Sequence, residues 1–409
     1  MAETVAYMIP TSIKEVKALG WDYIDVILFT GDAFIDHPSF GTAVIARWLQ
    51  KHGYRVAVVP QPNWRDDLRD FRKLGAPRLY FGVNSGAMDS MVNHYTAAKR
   101  LRSDDAYTPE GKAGQRPDYA VTVYTKILKQ IYPDIPVIIG GIEASLRRVT
   151  HYDYWQDALK PSILVDSGAD WLCYGMGERT MIEFTRAIES GRNVNEIRKI
   201  PQLGFYMDGR CRTKDAVILN SYERCCKDKV AFAENFHVIE TYANMLQPPV
   251  LVEPVGNGYV QINPTWPPAT QEQMDSFWDL PFTKLPHPRY KGKHIPAFEM
   301  IKFSINTHRG CFGGCNFCTI AAHQGKFIQS RSEDSILKEI KGLKDLPGFA
   351  GNISDVGAPT ANMYGMRGKN PELCAKCRRK SCLFPSPCRN MDRSHERLLK
   401  LYERIADIK

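Results

Sequence analysis

Three cysteines in one short stretch carry the strongest chemical signal in this sequence. Cys311, Cys315 and Cys318 are separated by three and then two residues, and Gly313 and Gly314 lie between the first two. A glycine-containing loop this short can wrap around a small metal cluster, and thiolates are the soft ligands that iron-sulfur clusters require. Because the loop supplies three thiolates, one iron of a 4Fe-4S cluster would stay open for a bidentate small molecule.

Two other interpretations of these cysteines remain open. A structural zinc site would need a fourth ligand, which His308 or His323 could supply, but structural zinc sites usually pair cysteines across two-residue gaps. Three buried, unmetallated cysteines are the other alternative, since free cysteine often packs as a small apolar residue. The spacing after a strand favours the cluster, because it is more specific than a single Cys-x-x-Cys pair.

A second set of four cysteines follows in a basic, proline-containing stretch. Four soft ligands this close together could hold a structural zinc ion or an auxiliary cluster without an open iron. The alternative is a surface loop with unmetallated thiols. Four Lys or Arg residues between 376 and 380 would offset the negative charge of a thiolate centre. The set consists of Cys374, Cys377, Cys382 and Cys388.

Length and composition indicate an ordinary globular protein with more than one domain. The chain has 409 residues, 44% of them hydrophobic and 24% charged, and single cores rarely grow beyond about 250–300 residues. No apolar run approaches the roughly 18 residues that a membrane span needs, and no secretory signal is evident. We therefore expect a cytoplasmic protein without a membrane partner, whose eleven cysteines serve metal or redox chemistry.

The net charge of +9 is concentrated near the carboxyl terminus. Residues 366–409 contain twelve Lys or Arg and five Asp or Glu, whereas the rest of the chain is nearly balanced. A basic segment can bind nucleic acid. A solvated face, or a counter-charge for an anionic group bound nearby, is the commoner explanation. Nucleic acid is thus kept as an alternative partner and not as the preferred one.

The first 195 residues predict an α/β domain built on a doubly wound parallel sheet. Short apolar runs alternate with helical patterns, and polar or glycine-rich turns follow the strands, where ligands bind in such sheets. Residues 196–298 are interrupted by prolines and glycines, and we interpret them as an irregular linker region with one helix around Ala231 to Leu246. The predicted strands are Val26–Thr30, Val56–Val59, Leu79–Val83, Pro136–Gly140 and Trp171–Tyr174.

Residues 299–409 predict the start of a (β/α) barrel. Ile301–Ile305 alternates as a strand, Ser330-x-x-Glu333 is a capping-box signal for a helix through Leu343, and Gly351–Val356 is a second strand. The segment from Ser394 to Ile405 predicts an amphipathic helix. Because a parallel barrel needs strands beyond that helix, we expect a fragment with an exposed helix face and an unpaired sheet edge.

At Cys311, Cys315 and Cys318 the sequence resembles the radical S-adenosylmethionine (radical SAM) superfamily. That signature has an aromatic residue just before the third cysteine, which is Phe317 here. The resemblance implies that the three cysteines bind a 4Fe-4S cluster, that the backbone around Phe317 contacts the adenine of S-adenosylmethionine, and that a 5′-deoxyadenosyl radical is formed. In such enzymes the cofactor carries the difficult chemistry, whereas the protein orients it.

Longer motifs resemble the YgiQ-type radical SAM proteins. That family implies a cobalamin-binding-like amino-terminal domain. The ligating Asp-x-His-x-x-Gly motif is not met, because His37 lies four residues before Gly41, and we expect no cobalamin. The usual Gly-Gly-Glu is also absent, and the backbone of Gly357, Ala358 and Pro359 is expected to take its place. The motifs lie at 31–41, 102–109, 140–148, 151–155 and 354–363.

These observations together predict a radical SAM enzyme of unknown substrate. The resemblance implies an electron donor such as a flavodoxin, and no catalytic side chain can be named. One alternative is an RNA-modifying enzyme resembling the methylthiotransferases, which the basic segment mildly favours. A second alternative is a non-catalytic iron-sulfur or zinc protein that binds a nucleic acid or a protein partner.

Overall fold

The computed structural model describes residues 8–358 and 362–408. The chain divides into two compact units. The first contains the amino-terminal residues through Lys229, with Val250–Asn263 and Pro281–Glu299. The second consists of Val230–Pro249, Pro264–Leu280 and Met300–Lys409. All the cysteines that we expect to bind metal lie in the second unit.

The described strands of the first unit are β1 Val26–Thr30, β2 Val56–Pro60, β3 Tyr80–Asn84, β4 Val137–Ile139, β5 His151–Asp153, β6 Ala158–Lys160, β7 Trp171–Cys173, β8 Leu203–Asp208, β9 Val217–Ile218, β10 Leu251–Val255 and β11 Gly258–Ile262. Nine of them form one sheet in the order β2-β1-β3-β4-β7-β8-β11-β10-β9, and the first five strands of this order are mutually parallel. The other two, β5 and β6, pair with each other as a separate antiparallel hairpin. Continuous apolar runs explain the parallel part of the sheet, because a parallel strand is normally buried on both faces.

The five parallel strands coincide with the five strands predicted from sequence. The mixed α/β class and the largely parallel sheet are thereby confirmed, whereas the doubly wound arrangement stays a prediction. Interpreting 196–298 as an irregular linker was wrong, because β8 pairs with β7 and the hairpin of β10 and β11 extends the same sheet. Within this region β10 and β11 bury nearly all of their residues and β8 buries half of its own, so the region contributes directly to the core.

Most of the helices are short connections between strands. Ser and Thr begin several of them by accepting a backbone hydrogen bond, as Thr270 does in a complete capping box. The helices are α1 Ile13–Ala18, α2 Gly41–Lys51, α3 Arg69–Arg72, α4 Ser90–His94, α5 Ala120–Ile131, α6 Gly141–Leu146, α7 Ile163–Ser167, α8 Glu178–Glu189, α9 Val194–Ile197, α10 Tyr222–Lys227, α11 Lys229–Ala243, α12 Gln271–Trp278, α13 Pro296–Ile301, α14 Ile320–Gln324, α15 Glu333–Gly342, α16 Pro371–Ala375 and α17 Glu396–Ala406, with 3₁₀ turns at Pro109–Gly111, Pro288–Tyr290 and Leu343–Asp345.

A buried arginine fills the space next to the carboxyl ends of β1 and β3. Arg116 forms ion pairs of 2.8 and 3.1 Å with Asp32 and Asp105, and it donates to the backbone oxygen of Ser85 at 2.7 Å. Burial raises the pKa of Asp32 to about 6, although the arginine opposes this shift. The turns that sequence suggested as a ligand pocket are therefore occupied here by a polar network of the chain itself.

The second unit contains one parallel strand pair that is connected through a helix. Strand β12, Ser304–Asn306, pairs in parallel with β15, Asp355–Gly357, and α15 lies between them in sequence. The predicted βαβ unit is present, but Ser332 rather than Ser330 caps α15, because Ser332 accepts from the Ser335 amide. A barrel needs more strands than this pair, so the partial barrel stays a prediction.

The carboxyl-terminal helix α17 is packed rather than exposed. Leu398 and Leu401 are 5% and 0% exposed and join a core cluster with Ile305 of β12 and Ile336 of α15. The expectation of an exposed helix face is therefore wrong for these leucines. Among the described residues, no helix is both long enough and apolar enough to cross a membrane.

Candidate metal centres

A short antiparallel strand pair closes the loop that carries the first three cysteines. His308–Arg309 (β13) pairs with Gln329–Ser330 (β14), so the two ends of the loop are held side by side. Gly310 begins the loop with a φ of +92°, and a Cβ atom there would lie 2.2 Å from the Phe327 carbonyl oxygen. Only glycine fits at this position, because both the backbone angle and the close approach exclude a side chain.

Gly313 leaves space between two of the cysteine sulfurs. A Cβ atom at this glycine would lie 3.4 Å from the Cys311 sulfur and 3.6 Å from the Cys315 sulfur. The Cys318 amide donates to the Cys315 carbonyl oxygen at 3.1 Å, which turns the chain so that the third cysteine follows closely. This region of the loop therefore offers thiols around a space that no side chain occupies, which fits the soft ligand set of an iron-sulfur cluster.

The three thiols of the loop lie too far apart to ligate one metal ion together. Across residues 8–358 and 362–408, no three His, Cys, Asp or Glu side chains stand close enough together to ligate a metal. Burial raises the pKa of the Cys311 thiol, and the neighbouring thiols of Cys318 and Cys315 add to the shift. Ligation by these cysteines would need side-chain rotation and loss of the thiol protons, which bound metal promotes.

The residues expected to contact S-adenosylmethionine lie on this loop and at the end of β15. Phe317 is 91% exposed. The carbonyl oxygen of Gly357 accepts from both the amide and the hydroxyl of Thr307, at 2.7 and 3.1 Å, which occupies its two lone pairs. Ala358 is half-buried, and Pro359 lies outside the described residues. Gly357 and Ala358 are the two described residues of this motif. Of these, Ala358 is the one whose backbone oxygen does not accept a hydrogen bond from Thr307.

His308 is a poor candidate for the fourth zinc ligand that sequence left open. Its side chain is buried, and its Nδ1 atom lies 2.9 Å from the Thr307 hydroxyl. Burial lowers its pKa to about 4. The ring packs near Tyr364, with centroids 6.5 Å apart, so it belongs to the interior of the second unit.

The second cysteine set lines a single cavity in the same unit. All four thiols border a space of about 680 Å³, together with apolar side chains such as Phe312 and Met391. Backbone bonds shape the set into two turns: the Cys377 amide donates to Cys374 at 3.1 Å, and the Cys388 amide donates to Cys382 at 2.7 Å. All eleven cysteines of the chain are free thiols.

Sequence reasoning missed two residues that join these cysteine sets. Lys326 is 4% exposed and donates to the Cys377 sulfur at 3.8 Å. Ser381 donates to the carbonyl oxygen of Gly313, inside the first loop, at 2.6 Å. No pattern in the sequence marks either residue. A lone lysine or serine beside cysteines reads as solvated surface until the fold places it.

His37, which stands near the absent cobalamin motif, is fully buried in the first unit. Its Nδ1 atom accepts from the Ser39 amide at 3.1 Å, and burial lowers its pKa to about 3. The imidazole is therefore neutral at ordinary pH. The absence of cobalamin stays a prediction.

The family of the chain is established by comparison with known sequences. Residues 8–304 match the family model described as radical SAM N-terminal. That match contains the whole nine-stranded sheet and ends shortly before the cysteine loop. The chain belongs to the YgiQ-type radical SAM proteins, as the relatives described next also indicate.

Several curated relatives are similar over almost the whole chain. A UPF0313 protein of Bacteroides thetaiotaomicron is 54% identical over 97% of this chain and 66% of its own length. Another, from Porphyromonas gingivalis, is 55% identical over 97% of this chain and 63% of its own. The UPF0313 protein YgiQ of Escherichia coli K12 is 43% identical over 99% of this chain and 62% of its own length. The chain therefore spans just under two thirds of the length of these relatives.

One solved protein shares a distant likeness. The radical S-adenosylmethionine methyltransferase TsrM from Kitasatospora setae, solved with cobalamin and a [4Fe-4S] cluster, is 17% identical with a TM-score of 0.44. The alignment covers 83% of this chain and 48% of that one. A likeness this weak supports no inference about the ligands of the present chain.

Proposed function

We propose that this chain is a radical SAM enzyme, or the part of one, that binds a 4Fe-4S cluster through Cys311, Cys315 and Cys318. One observation carries the proposal: three thiols stand on a glycine-containing loop whose ends are clamped by β13 and β14. Membership of the YgiQ-type family supports the same chemistry.

Each part of the loop has a definable role in this proposal. Cys311, Cys315 and Cys318 supply three thiolates, and Gly313 keeps the space between two of them free of a side chain. Phe317 and Ala358 present backbone groups to S-adenosylmethionine. A reduced cluster held by these three cysteines would supply one electron to S-adenosylmethionine, and the reductive cleavage would give methionine and a 5′-deoxyadenosyl radical. A flavodoxin or similar donor would deliver that electron.

Anaerobic reconstitution with iron and sulfide tests this function. The reconstituted chain should bind about four irons at the loop. It should release 5′-deoxyadenosine when it is reduced with S-adenosylmethionine present. Cys315→Ala should abolish that release, because Cys315 is one of three ligands, whereas Cys226→Ser, at an exposed cysteine of the first unit, should leave it unchanged.

The outcome that contradicts the proposal is a folded protein that takes up zinc alone and no iron. The length of the relatives sets a further control. A longer polypeptide with the sequence of a full-length relative should be assayed beside this chain, because the chain spans 62–66% of those proteins. Activity in the longer protein alone would place turnover in the full-length enzyme and cluster binding in this portion.

An RNA substrate is the second candidate, and the basic segment 366–409 is the observation that favours it. Some of the positively charged side chains of this segment already form ion pairs or hydrogen bonds within the second unit. Arg404 pairs with Glu333 at 2.5 Å and with Asp334 at 2.9 Å, and Arg379 donates to the carbonyl oxygens of Phe384 and Ser386. Methylthiolation of a transfer RNA by the reconstituted enzyme would support this candidate. Its absence, with 5′-deoxyadenosine still formed, would leave the first proposal standing.

A further inference from the structure

Four thiols share one cavity, although they are spread over fifteen residues of sequence. Cys374, Cys377, Cys382 and Cys388 all line the space of about 680 Å³, and Cys382 is 8% exposed. Gly368 lets one of them approach closely, because a Cβ atom there would lie 2.2 Å from the Cys374 sulfur. The fold thus places the four soft donors of a closed metal site around one cavity, and side-chain rotation would be needed to bring them within ligating distance of one metal.

A buried lysine faces this cavity without a carboxylate partner among the ion pairs of the described residues. The Lys326 ammonium group contacts the Cys377 sulfur at 3.8 Å and donates to the carbonyl oxygen of Arg379. The residue is 4% exposed. Burying an unpaired charge is costly, so such a lysine calls for a negative group nearby. Four neutral thiols supply none, whereas four thiolates around a divalent metal carry a net negative charge.

The thiolate charge would also lie next to the cluster loop. The Cys382 amide donates to the carbonyl oxygen of Phe312 at 3.0 Å, and Ser381 donates to that of Gly313 at 2.6 Å. A Cβ atom on Gly314 would meet the Lys380 carbonyl oxygen at 2.8 Å. The four-cysteine segment is therefore in direct contact with the loop that carries Cys311 and Cys315.

We propose that Cys374, Cys377, Cys382 and Cys388 ligate a second metal centre, either zinc or an iron-sulfur cluster, with Lys326 as its buried counter-charge. Both metals need the same four thiolates, and both give a centre of net negative charge. Binding converts four thiols to thiolates and releases four protons, without any change in oxidation state for zinc. The site goes beyond the proposed function, since it would bind metal whether or not the first loop does.

The test separates the two sites by removing the first one. The triple variant Cys311→Ala/Cys315→Ala/Cys318→Ala of the full chain is purified from cells, and its metals are measured by mass spectrometry. One equivalent of zinc supports the zinc form, and iron with acid-labile sulfide supports the cluster form. Adding Cys377→Ser should remove this metal, whereas adding Cys226→Ser, at an exposed cysteine without such neighbours, should retain it.

A folded triple variant that holds neither metal, and that develops no thiolate-to-metal absorption when titrated with cobalt(II), would overturn the proposal. Circular dichroism establishes that the variant is folded. The role of Lys326 is tested in a separate variant. Lys326→Met should weaken retention of the metal against a chelator by about tenfold, as the loss of other side chains that contact metal ligands does. Lys326→Arg, which keeps the charge, should weaken it less. Equal retention in Lys326→Met and the parent would contradict the counter-charge.

Failure of this inference is distinguishable from failure of the proposed function. A reconstituted parent chain that takes up zinc alone and forms no 5′-deoxyadenosine, with metal retained in the triple variant, would contradict the proposed function alone. Formation of 5′-deoxyadenosine by the parent chain, with no metal in the triple variant, would contradict the second centre alone.

Discussion

The two cysteine sets differ in the solvent exposure of one member each, whereas the other five cysteines are all half-buried. Cys315 is exposed and is followed closely by Phe317, which is 91% exposed. Cys382 by contrast is 8% exposed and lines a cavity with three other thiols. An open ligand set suits a centre that must admit a small molecule, and a closed set suits a centre that only supports structure. The division of roles proposed above follows from this difference in exposure.

Gly314 lies where the first cysteine loop contacts the four-cysteine segment, so a substitution at this residue tests that contact. Its φ is +65°, and a Cβ atom would lie 2.8 Å from the Lys380 carbonyl oxygen. Gly314→Ala should therefore lower the melting temperature and reduce iron retention at the first loop. Gly348→Ala is the matched control in the same unit, because Gly348 also has a positive φ, +77°, but no atom within 4 Å of its Cβ position. Each variant bears about 1–2 kcal/mol of backbone strain, and equal effects would show that the contact contributes nothing.

Glu253 makes the stability of the first unit depend on pH. The carboxyl group is buried, which raises its pKa to about 7, although one oxygen accepts from the Thr150 amide at 2.8 Å. A raised folded-state pKa means that the stabilisation is complete below the unfolded value near 4.5 and is lost as pH rises towards 7. The predicted loss is on the order of 3 kcal/mol.

The measurement compares Glu253→Gln with the parent chain in urea between these two pH values. Glutamine keeps an acceptor for Thr150 but cannot ionise, so its unfolding midpoint should fall less than that of the parent as pH rises. Parallel midpoints for the two proteins would mean that Glu253 does not titrate in this interval.

At the scale of elements, α15 and α17 support the strand that leads into the cysteine loop. Ile336 of α15 and Leu401 of α17 are both 0% exposed and pack with Ile305 of β12. Arg331, just before α15, donates to the Asn306 carbonyl oxygen at 2.8 Å and pairs with Glu339. The end of β12 is thus held by apolar packing and by a buried arginine, and the loop begins only a few residues further on.

Two leucines on α17 measure the strength of this support. Leu401→Ala should destabilise the second unit by about 2–5 kcal/mol, since it removes a fully buried side chain and leaves a cavity. Leu399→Ala lies on the same helix at 57% exposure and should change stability by less than about 0.5 kcal/mol. Calorimetry gives both values. Similar losses in both variants would mean that α17 is not packed as described.

The parallel half of the sheet was predictable, because its strands are unbroken apolar runs that only a buried strand explains. The strands β8, β10 and β11 were missed because neighbouring prolines and glycines suggested a linker. The two-residue connection Gly256-Asn257 between β10 and β11 is a local hairpin signal that was interpreted as a break, whereas β8 pairs with strands distant in sequence and leaves no such local pattern. The cysteines themselves were found from spacing alone. The roles of Lys326 and Ser381 were not, since burial of an isolated polar residue is decided by tertiary packing.

For the whole molecule, the second metal centre would change the surface charge that a partner meets. The formal charge of +9 counts every cysteine as neutral, and most of the excess lies in 366–409, around the four-cysteine set. Zinc with four thiolates carries about two negative charges. The basic segment would therefore be less positive when the site is filled.

Cation-exchange chromatography can detect this difference. The triple variant of the first loop should elute at higher salt after its remaining metal has been removed with a chelator under reducing conditions, because a centre that carries about two negative charges becomes four neutral thiols. Readdition of zinc should restore the original elution. With Cys377→Ser also present, the chelator should have no effect, and a shift in that variant would point to metal elsewhere in the chain.

The pairing of β13 with β14 also bears on what it would cost the loop to ligate a cluster. Because the two strands hold the ends of the intervening loop together, part of the entropy of closing that loop is lost through backbone pairing. Ligation by this loop would then cost less conformational entropy than ligation by an open segment of chain. A substitution that breaks the pairing would therefore weaken retention of a cluster without removing any thiol.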